Sequence, residues 1–215
     1  ETRVSRRSAQ QAAIGYNRYR NQRTFAEVRT TEYIAATLRC STADRRLNHS
    51  VVNCRPLDLP DRNLLIPPYS LGVWLGDGSS YAANFTSADP EIAVHVEAEG
   101  LDAATVQARL RTLDLLGNKH VPSIYLRASL AQRRALLAGL LDTDGTVTPG
   151  GAVQFCVTSA RLAHDVRELV VSVGYRCGIS TKQVHGRTSK SATAFTLTFS
   201  TEDDVFRLER KRLAH

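Results

Sequence analysis

Two stretches of this 215-residue chain echo each other: SLGVWLGDGSS at residues 70–80 and LAGLLDTDGTV at residues 137–147. Each reads as an apolar helix that ends in Asp-Gly, at Asp77-Gly78 and Asp144-Gly145. Gly72 and Gly76 stand one helical turn apart, as do Gly139 and Thr143. Small residues at that spacing let two helix backbones approach where larger side chains would hold them off. A chain with two such faces is constrained to pack one on the other. The echo continues downstream, since each motif leads into an expected strand and then a helix opened by Ser-Ala, at Ser87-Ala88 and Ser159-Ala160. Two related halves, each an α/β unit, follow from this repetition.

The acids at the helix ends set the chemistry. An aspartate in the last turn opposes the helix macrodipole at a cost of about 0.3–1 kcal/mol, and packing two such ends together adds carboxylate repulsion. Stability alone would not select the pair. A hard divalent cation reverses the sign, because carboxylate and backbone carbonyl oxygens are ligands that Mg²⁺ accepts. With scissile phosphates as further ligands, the arrangement suits metal-assisted phosphodiester hydrolysis. One Asp-Gly alone would read as a turn, but its repetition after matched helices points beyond a turn. An EF-hand loop starting at Asp142 fails, with glycine in the fourth place and Val153 in the twelfth. GDGSS lacks the Gly-Lys-Ser/Thr ending of a P-loop.

Around these motifs, capping signals and periodicity predict helices at 30–39, 69–77, 89–99, 103–116, 129–142 and 160–173. Strands are expected near 79–86, 152–158, 175–184 and 193–201. Gly78 and Gly145 suit left-handed helix caps. Four prolines within residues 55–69 mark an extended linker and a boundary. The basic tail RLERKRLAH is expected to fray. Helical spacing in LDAATVQARLRTLDLL, where the second half has a pair of strands, implies that the first half has lost strands. The fold class is α+β, divided as 1–62 and 63–215, the latter split into 63–128 and 129–215.

Charge separates the front of the chain from the rest. Residues 1–60 hold eleven arginines and no lysine against five acids, whereas residues 61–215 are close to neutral. Arginine makes bidentate contacts to phosphate and guanine that lysine does not. YNRYRNQR interleaves aromatic and basic side chains, so Arg18, Arg20 and Arg23 are candidate DNA contacts, with a solvated basic arm as the alternative. The four cysteines, Cys40, Cys54, Cys156 and Cys177, form no CxxC pair and read as reduced, structural thiols. No long apolar run or secretory leader pattern is present, so an intracellular, DNA-associated location without membrane insertion is expected.

These residues resemble the LAGLIDADG homing endonucleases. LAGLLDTDG differs from the name motif at two of nine positions, and SLGVWLGDG is similar to the divergent first copy of double-motif, single-chain members. LLIPPYSLGVWLGDGSS, GNKHVPSIYLRASLAQRRALLAGLLDTDGTV and VFRLERKR resemble successive blocks of intein-borne endonucleases, especially those interrupting replicative DNA helicase genes. The resemblance implies a monomer with two αβ halves, a central two-helix interface and sheets straddling double-stranded DNA. It implies Asp77 and Asp144 as acidic metal ligands, with Gly76 and Thr143 beside them, and Mg²⁺ as cofactor with Mn²⁺ as a substitute. Lys119 in GNKHVP matches a block whose lysine is implicated in catalysis. For the other half the candidates are Lys182 and Lys190, which with Arg187 also stand as DNA contacts. His120 reads as structural or as a phosphate contact, and Asp142 as support for the ligands.

The implied activity is metal-dependent, site-specific double-strand cleavage leaving short 3′ overhangs at an intein-less gene copy. Inteins normally begin with Cys or Ser and end in His-Asn, whereas this chain runs from Glu1 to His215, which reads as an endonuclease region without splicing chemistry. The rival reading is a non-cleaving nucleic-acid-binding module, either a decayed endonuclease or an RNA maturase. If the front arginines grip flanking duplex, deleting residues 1–60 weakens DNA binding and flattens its salt dependence, by about 0.9 in log–log slope for each phosphate no longer neutralised. Titration of a labelled duplex at several salt concentrations reads both quantities.

Overall fold

A computed structural model describes residues 28–49, 54–84, 89–101, 103–185 and 191–215. The chain divides into two compact units, Glu1–Val52 and Asn53–His215. In the first, helix α1 (Thr31–Ala36) is capped by the Thr30 hydroxyl, which accepts from the Tyr33 N–H at 3.2 Å. It is shorter than the expected 30–39. An antiparallel bridge joins Arg39 to Leu47, and Thr37 Oγ1 lies 2.7 Å from His49 Nε2.

The second unit is built on α2 (Pro68–Asp77) and α6 (Leu130–Asp144), the two motif helices. Pro68 starts α2 where its missing N–H costs nothing, and α6 opens with a Ser129/Gln132 capping box. The two cross at their glycines. A Cβ on Gly72 would lie 2.9 Å from the Leu140 nitrogen and 3.0 Å from Gly139 Cα, and a Cβ on Gly139 would lie 2.9 Å from the Val73 nitrogen. Residues 72 and 139 thus stand in equivalent places on either side of an approximate two-fold axis. At the same crossing, a Cβ on Gly76 would run into the Thr143 side chain.

Around this pair, the first half supplies α3 (Pro90–Ala98), α4 (Ala103–Thr112) and α5 (Ser123–Leu126). The second supplies β1 (Gly145–Val147), β2 (Val153–Val157), α7 (Ala160–Ser172), β3 (Cys177–His185), β4 (Ser191–Phe199) and α8 (Glu209–Ala214). The strands form one antiparallel sheet in the order β1-β2-β4-β3. Alternation sends Val153, Phe155, Leu197 and Phe199 into the core, where Leu162, Val166 and Leu169 of α7 meet them. The other face is polar: the register sets Gln154, Thr198 and Gly178 in one row and Cys156, Thr196 and Ser180 in the next.

Several expectations change. Residues 79–84 make a turn rather than the start of a strand, hooked by the Trp74 indole N–H donating to Ala82 O at 2.9 Å; residues 85–86 lie outside the described residues, as do Ser87 and Ala88. Among the described residues of 54–144 there is no named strand. The expected helix 103–116 ends at Thr112, because Asp114 turns to a φ of 55°. Gly78 and Gly145 are extended, at φ −68° and −81°, not left-handed. They are glycines because a Cβ would strike Trp74 and Leu141 in the preceding turn. The tail forms α8 with Lys211 buried. The proline-rich linker is extended yet docked: the Leu57 N–H donates to Ser172 O at 3.0 Å, and the buried Arg133 guanidinium donates to the Leu57 carbonyl.

Because backbone faces backbone at Gly139, no rotamer change can make room for a larger residue. Gly139→Val should cost at least about 3 kcal/mol, a midpoint drop of about 6–12 °C for a chain of this size. Gly150→Ala, whose Cβ would meet only Thr148 Oγ1 at 4.0 Å, should be neutral by the same melting measurement.

Candidate active site

The helix crossing delivers Asp77 and Asp144 to the same end of the α2/α6 pair, both exposed. Asp144 Oδ2 comes within 3.4 Å of where a Cβ on Gly76 would stand. Although Asp144 is exposed, partial desolvation of its carboxyl at the mouth between the helices holds its pKa above the usual carboxylate range, and the Asp77 charge pushes it the same way. Lys119 and Lys211 oppose both effects.

These two lysines occupy matched positions. Lys119 Nζ donates to the carbonyls of Leu75, Gly76 and Gly78 at 3.0, 3.2 and 2.8 Å, closing the end of α2. Lys211 Nζ donates to the carbonyls of Leu141, Asp142, Thr143 and Gly145 at 2.8, 2.7, 3.1 and 2.7 Å, closing the end of α6. Each ammonium thus satisfies carbonyls that a helix terminus leaves without partners. It also places a cation where the macrodipole is negative. Burial pulls both lysines below their ordinary pKa, against the acids: Asp144 and Asp77 for Lys119, and Asp142 as well for Lys211. Lys211 is the residue that the sequence pattern did not expose. It lies in VFRLERKR, where three buried side chains, Val205, Phe206 and Leu208, signal an anchored segment instead of a frayed one. Lys182, a sequence candidate for this place, stands exposed on β3 opposite Ala194. Lys190, Arg187, Arg18, Arg20 and Arg23 lie outside the described residues.

Asp142 supports this arrangement from beneath. Its buried carboxylate accepts from the Tyr69 hydroxyl at 2.8 Å and from the backbone N–H groups of Arg207 and Leu208 at 3.2 Å. Burial raises its pKa, and these hydrogen bonds counter the rise. The Arg207 guanidinium lies over the Tyr69 ring at 4.2 Å and reaches Glu99 at 3.4 Å. The result is to seat the segment that carries Lys211. His120 Nδ1 meets Asn118 O at 2.7 Å, a local role in the Lys119 loop.

Beside Asp144 and Lys119 opens a cavity of about 600 Å³, walled by Gly76, Ser80 and Asn118 on one side and by Cys156, Ser159 and Arg161 on the other. The donor set fits a hard divalent cation. Among the described residues no three His, Cys, Asp or Glu side chains group together, so an ion there would rest on the two carboxylates, backbone oxygens, water and phosphate, a set that suits Mg²⁺ better than a softer metal. The Gly76 and Thr143 carbonyls already accept from lysine, and each has two lone pairs.

Residues 131–211, from the first turn of α6 to Lys211, match the family model of a LAGLIDADG-like domain. LAGLIDADG domains bind DNA, the family's members are generally nucleases, and its endonucleases typically use a divalent metal. Over 214 residues, 99% of its length, the chain is 68% identical to the replicative DNA helicase DnaB of Mycobacterium intracellulare, and it spans 37% of that protein. No helix among the described residues is long and apolar enough to cross a membrane.

The raised Asp144 pKa has a thermodynamic sign. An acid whose folded pKa lies above its unfolded value of about 3.9 destabilises the fold when ionised, and the penalty fades as pH falls through the folded pKa. In metal-free buffer at pH 7, Asp144→Asn should therefore melt higher, by at most about 2–4 °C for a screened repulsion of about 1 kcal/mol. The gain should shrink toward pH 4, and added Mg²⁺ should raise the wild-type midpoint more than the variant's.

Proposed function

We propose that this chain is the DNA-cleaving region of an intein within a replicative DNA helicase precursor, a metal-dependent endonuclease that cuts both strands of an uninterrupted copy of the gene. One observation carries the reading: two aspartates repel each other at the ends of paired helices while a lysine, half-buried at Lys119 and buried at Lys211, closes each helix beside them. A module that only binds DNA has no use for that repulsion. High identity to a helicase over about a third of that protein's length fits an inserted segment.

In the proposed reaction, Asp77 and Asp144 are the residues that would hold a divalent cation. When bound, that ion supplies Lewis-acid polarisation and a more acidic water. Lys119 and Lys211, fixed on backbone carbonyls, present positive charge toward the phosphoryl oxygens as negative charge builds there. Because the carbonyl seats are formed before substrate arrives, little reorganisation opposes the reaction. Gly76 and Thr143 supply the closest approach that brings the two acids together. Double-stranded DNA is the partner, met by the polar sheet face with Lys182 at its edge, and the two motifs in one chain make a monomer sufficient.

The absence of named strands among the described residues of the first half favours a second reading, a binding module that has lost cleavage. Supercoiled plasmid carrying the uninterrupted helicase-gene junction separates the two. Cleavage is expected in Mg²⁺ and not in Ca²⁺, abolished by Asp144→Asn and slowed by about 10²-fold in Lys119→Met and Lys211→Met. Tight binding without cutting in any metal would sink the endonuclease and leave the binding module.

A further inference from the structure

We infer that Arg161 holds a backbone phosphate of the DNA strand that enters the cavity beside Asp144 and Lys119, giving this centre a positive charge where the counterpart tether, Arg210 with Asp89, is a neutral pair; the inference rests on the endonuclease reading. Arg161 lies in the first turn of α7 and lines the cavity with Asn118, Lys119 and Asp144. Its Nη1 donates to Asn118 Oδ1 at 2.7 Å. That acceptor is neutral, so the hydrogen bond orients the guanidinium without cancelling its charge. Four other arginines of this unit meet carboxylates, Arg127 with Glu168, Arg134 with Asp203, Arg207 with Glu99 and Arg210 with Asp89, while Arg62, Arg109 and Arg133 donate to backbone carbonyls and none of these three lines the cavity.

The last of these pairs is the mirror image of the Arg161 interaction. Asn118 precedes Lys119 and Arg210 precedes Lys211. Arg161 follows Ser159-Ala160 just as Asp89 follows Ser87-Ala88. Each lysine-bearing segment is therefore tied, through the residue before the lysine, to the opening of a helix in the opposite half: Asn118 to Arg161 at 2.7 Å and Arg210 to Asp89 at 2.8 Å. The tether is shared but its charge is not. At Lys211 the pair sums to zero, whereas at Lys119 it carries a full positive charge on a planar fork suited to a phosphate. The cavity has room for one, at about 600 Å³. The centre at Asp144 and Lys119 is thus built to grip its strand harder than the centre at Asp77 and Lys211.

A purely mechanical tether would behave differently, and the variants are chosen to tell the two apart. Binding of a labelled duplex spanning the uninterrupted helicase-gene junction is titrated against salt in Ca²⁺, and plasmid cleavage is followed in Mg²⁺. Arg161→Ala should flatten the log–log salt slope by about 0.9, the signature of one phosphate left without its cation. It should also accumulate nicked plasmid, with one strand cut at least ~10-fold more slowly, on the scale expected when a phosphate is no longer held in position. Arg161→Lys should restore the slope, and Asn118→Ala should keep it. An Arg161→Ala protein with wild-type slope and balanced strand cutting, or an Asn118→Ala protein that reproduces the Arg161→Ala slope, would overturn the inference. If wild type binds but cuts neither strand, the endonuclease reading fails while the slopes still decide whether Arg161 holds a phosphate. If wild type binds no DNA, both fall.

Discussion

The backbone contact between α2 and α6 at Gly72 and Gly139 governs this molecule. Helices normally stand 8–10 Å apart because side chains fill the space between them. Here two glycines face each other across an approximate two-fold axis, and a Cβ on either would run into the partner's backbone. That approach, continued by Gly76 against Thr143, decides how closely the two C-terminal acids stand. Widening the crossing would move them apart together. The core follows from the same crossing, since Leu71, Leu75, Leu136 and Leu140 flank the glycines and join one cluster with the sheet and α7.

From this crossing the electrostatics of the site follow. Two helix ends and two aspartates concentrate negative charge at one place, and the fold answers with two ammonium groups seated on carbonyl oxygens, Lys119 half-buried and Lys211 buried. Seating a lysine this way costs desolvation, visible in the lowered pKa of both. The return is rigidity: each amine is held by three or four acceptors rather than left on a flexible stem. The remaining repulsion between Asp77 and Asp144 is what a divalent cation would relieve, and it marks a place where stability yields to chemistry.

Symmetry in the centre and asymmetry around it coexist. The acids, lysines and lysine tethers pair across the axis, but the described strands all belong to the second half. Arg161 and Asp89 occupy equivalent places with opposite charge. A duplex offers two strands of equal charge, so unequal surroundings would treat them unequally even when the reacting groups match.

The repetition of a small-faced helix ending in Asp-Gly was legible from residue order, because helical periodicity and the need for glycine at close approach are local properties. So were β2, β3, β4 and α7, whose alternation and Ser159 cap report burial directly, whereas the short β1 at Gly145–Val147 was not among the expected strands. The chain alone could not show that residues 79–84 turn onto Trp74, or that Gly78 and Gly145 are extended, since partners elsewhere in the helix decide both. Nor did it reveal Lys211. Its tail reads as a short basic segment, and it becomes a helix with a buried lysine only because Asp142, far away in sequence, accepts from Arg207 and Leu208. Local pattern determined which two helices must meet and which acids they carry; long-range hydrogen bonding decided which amines face those acids and how the two centres differ.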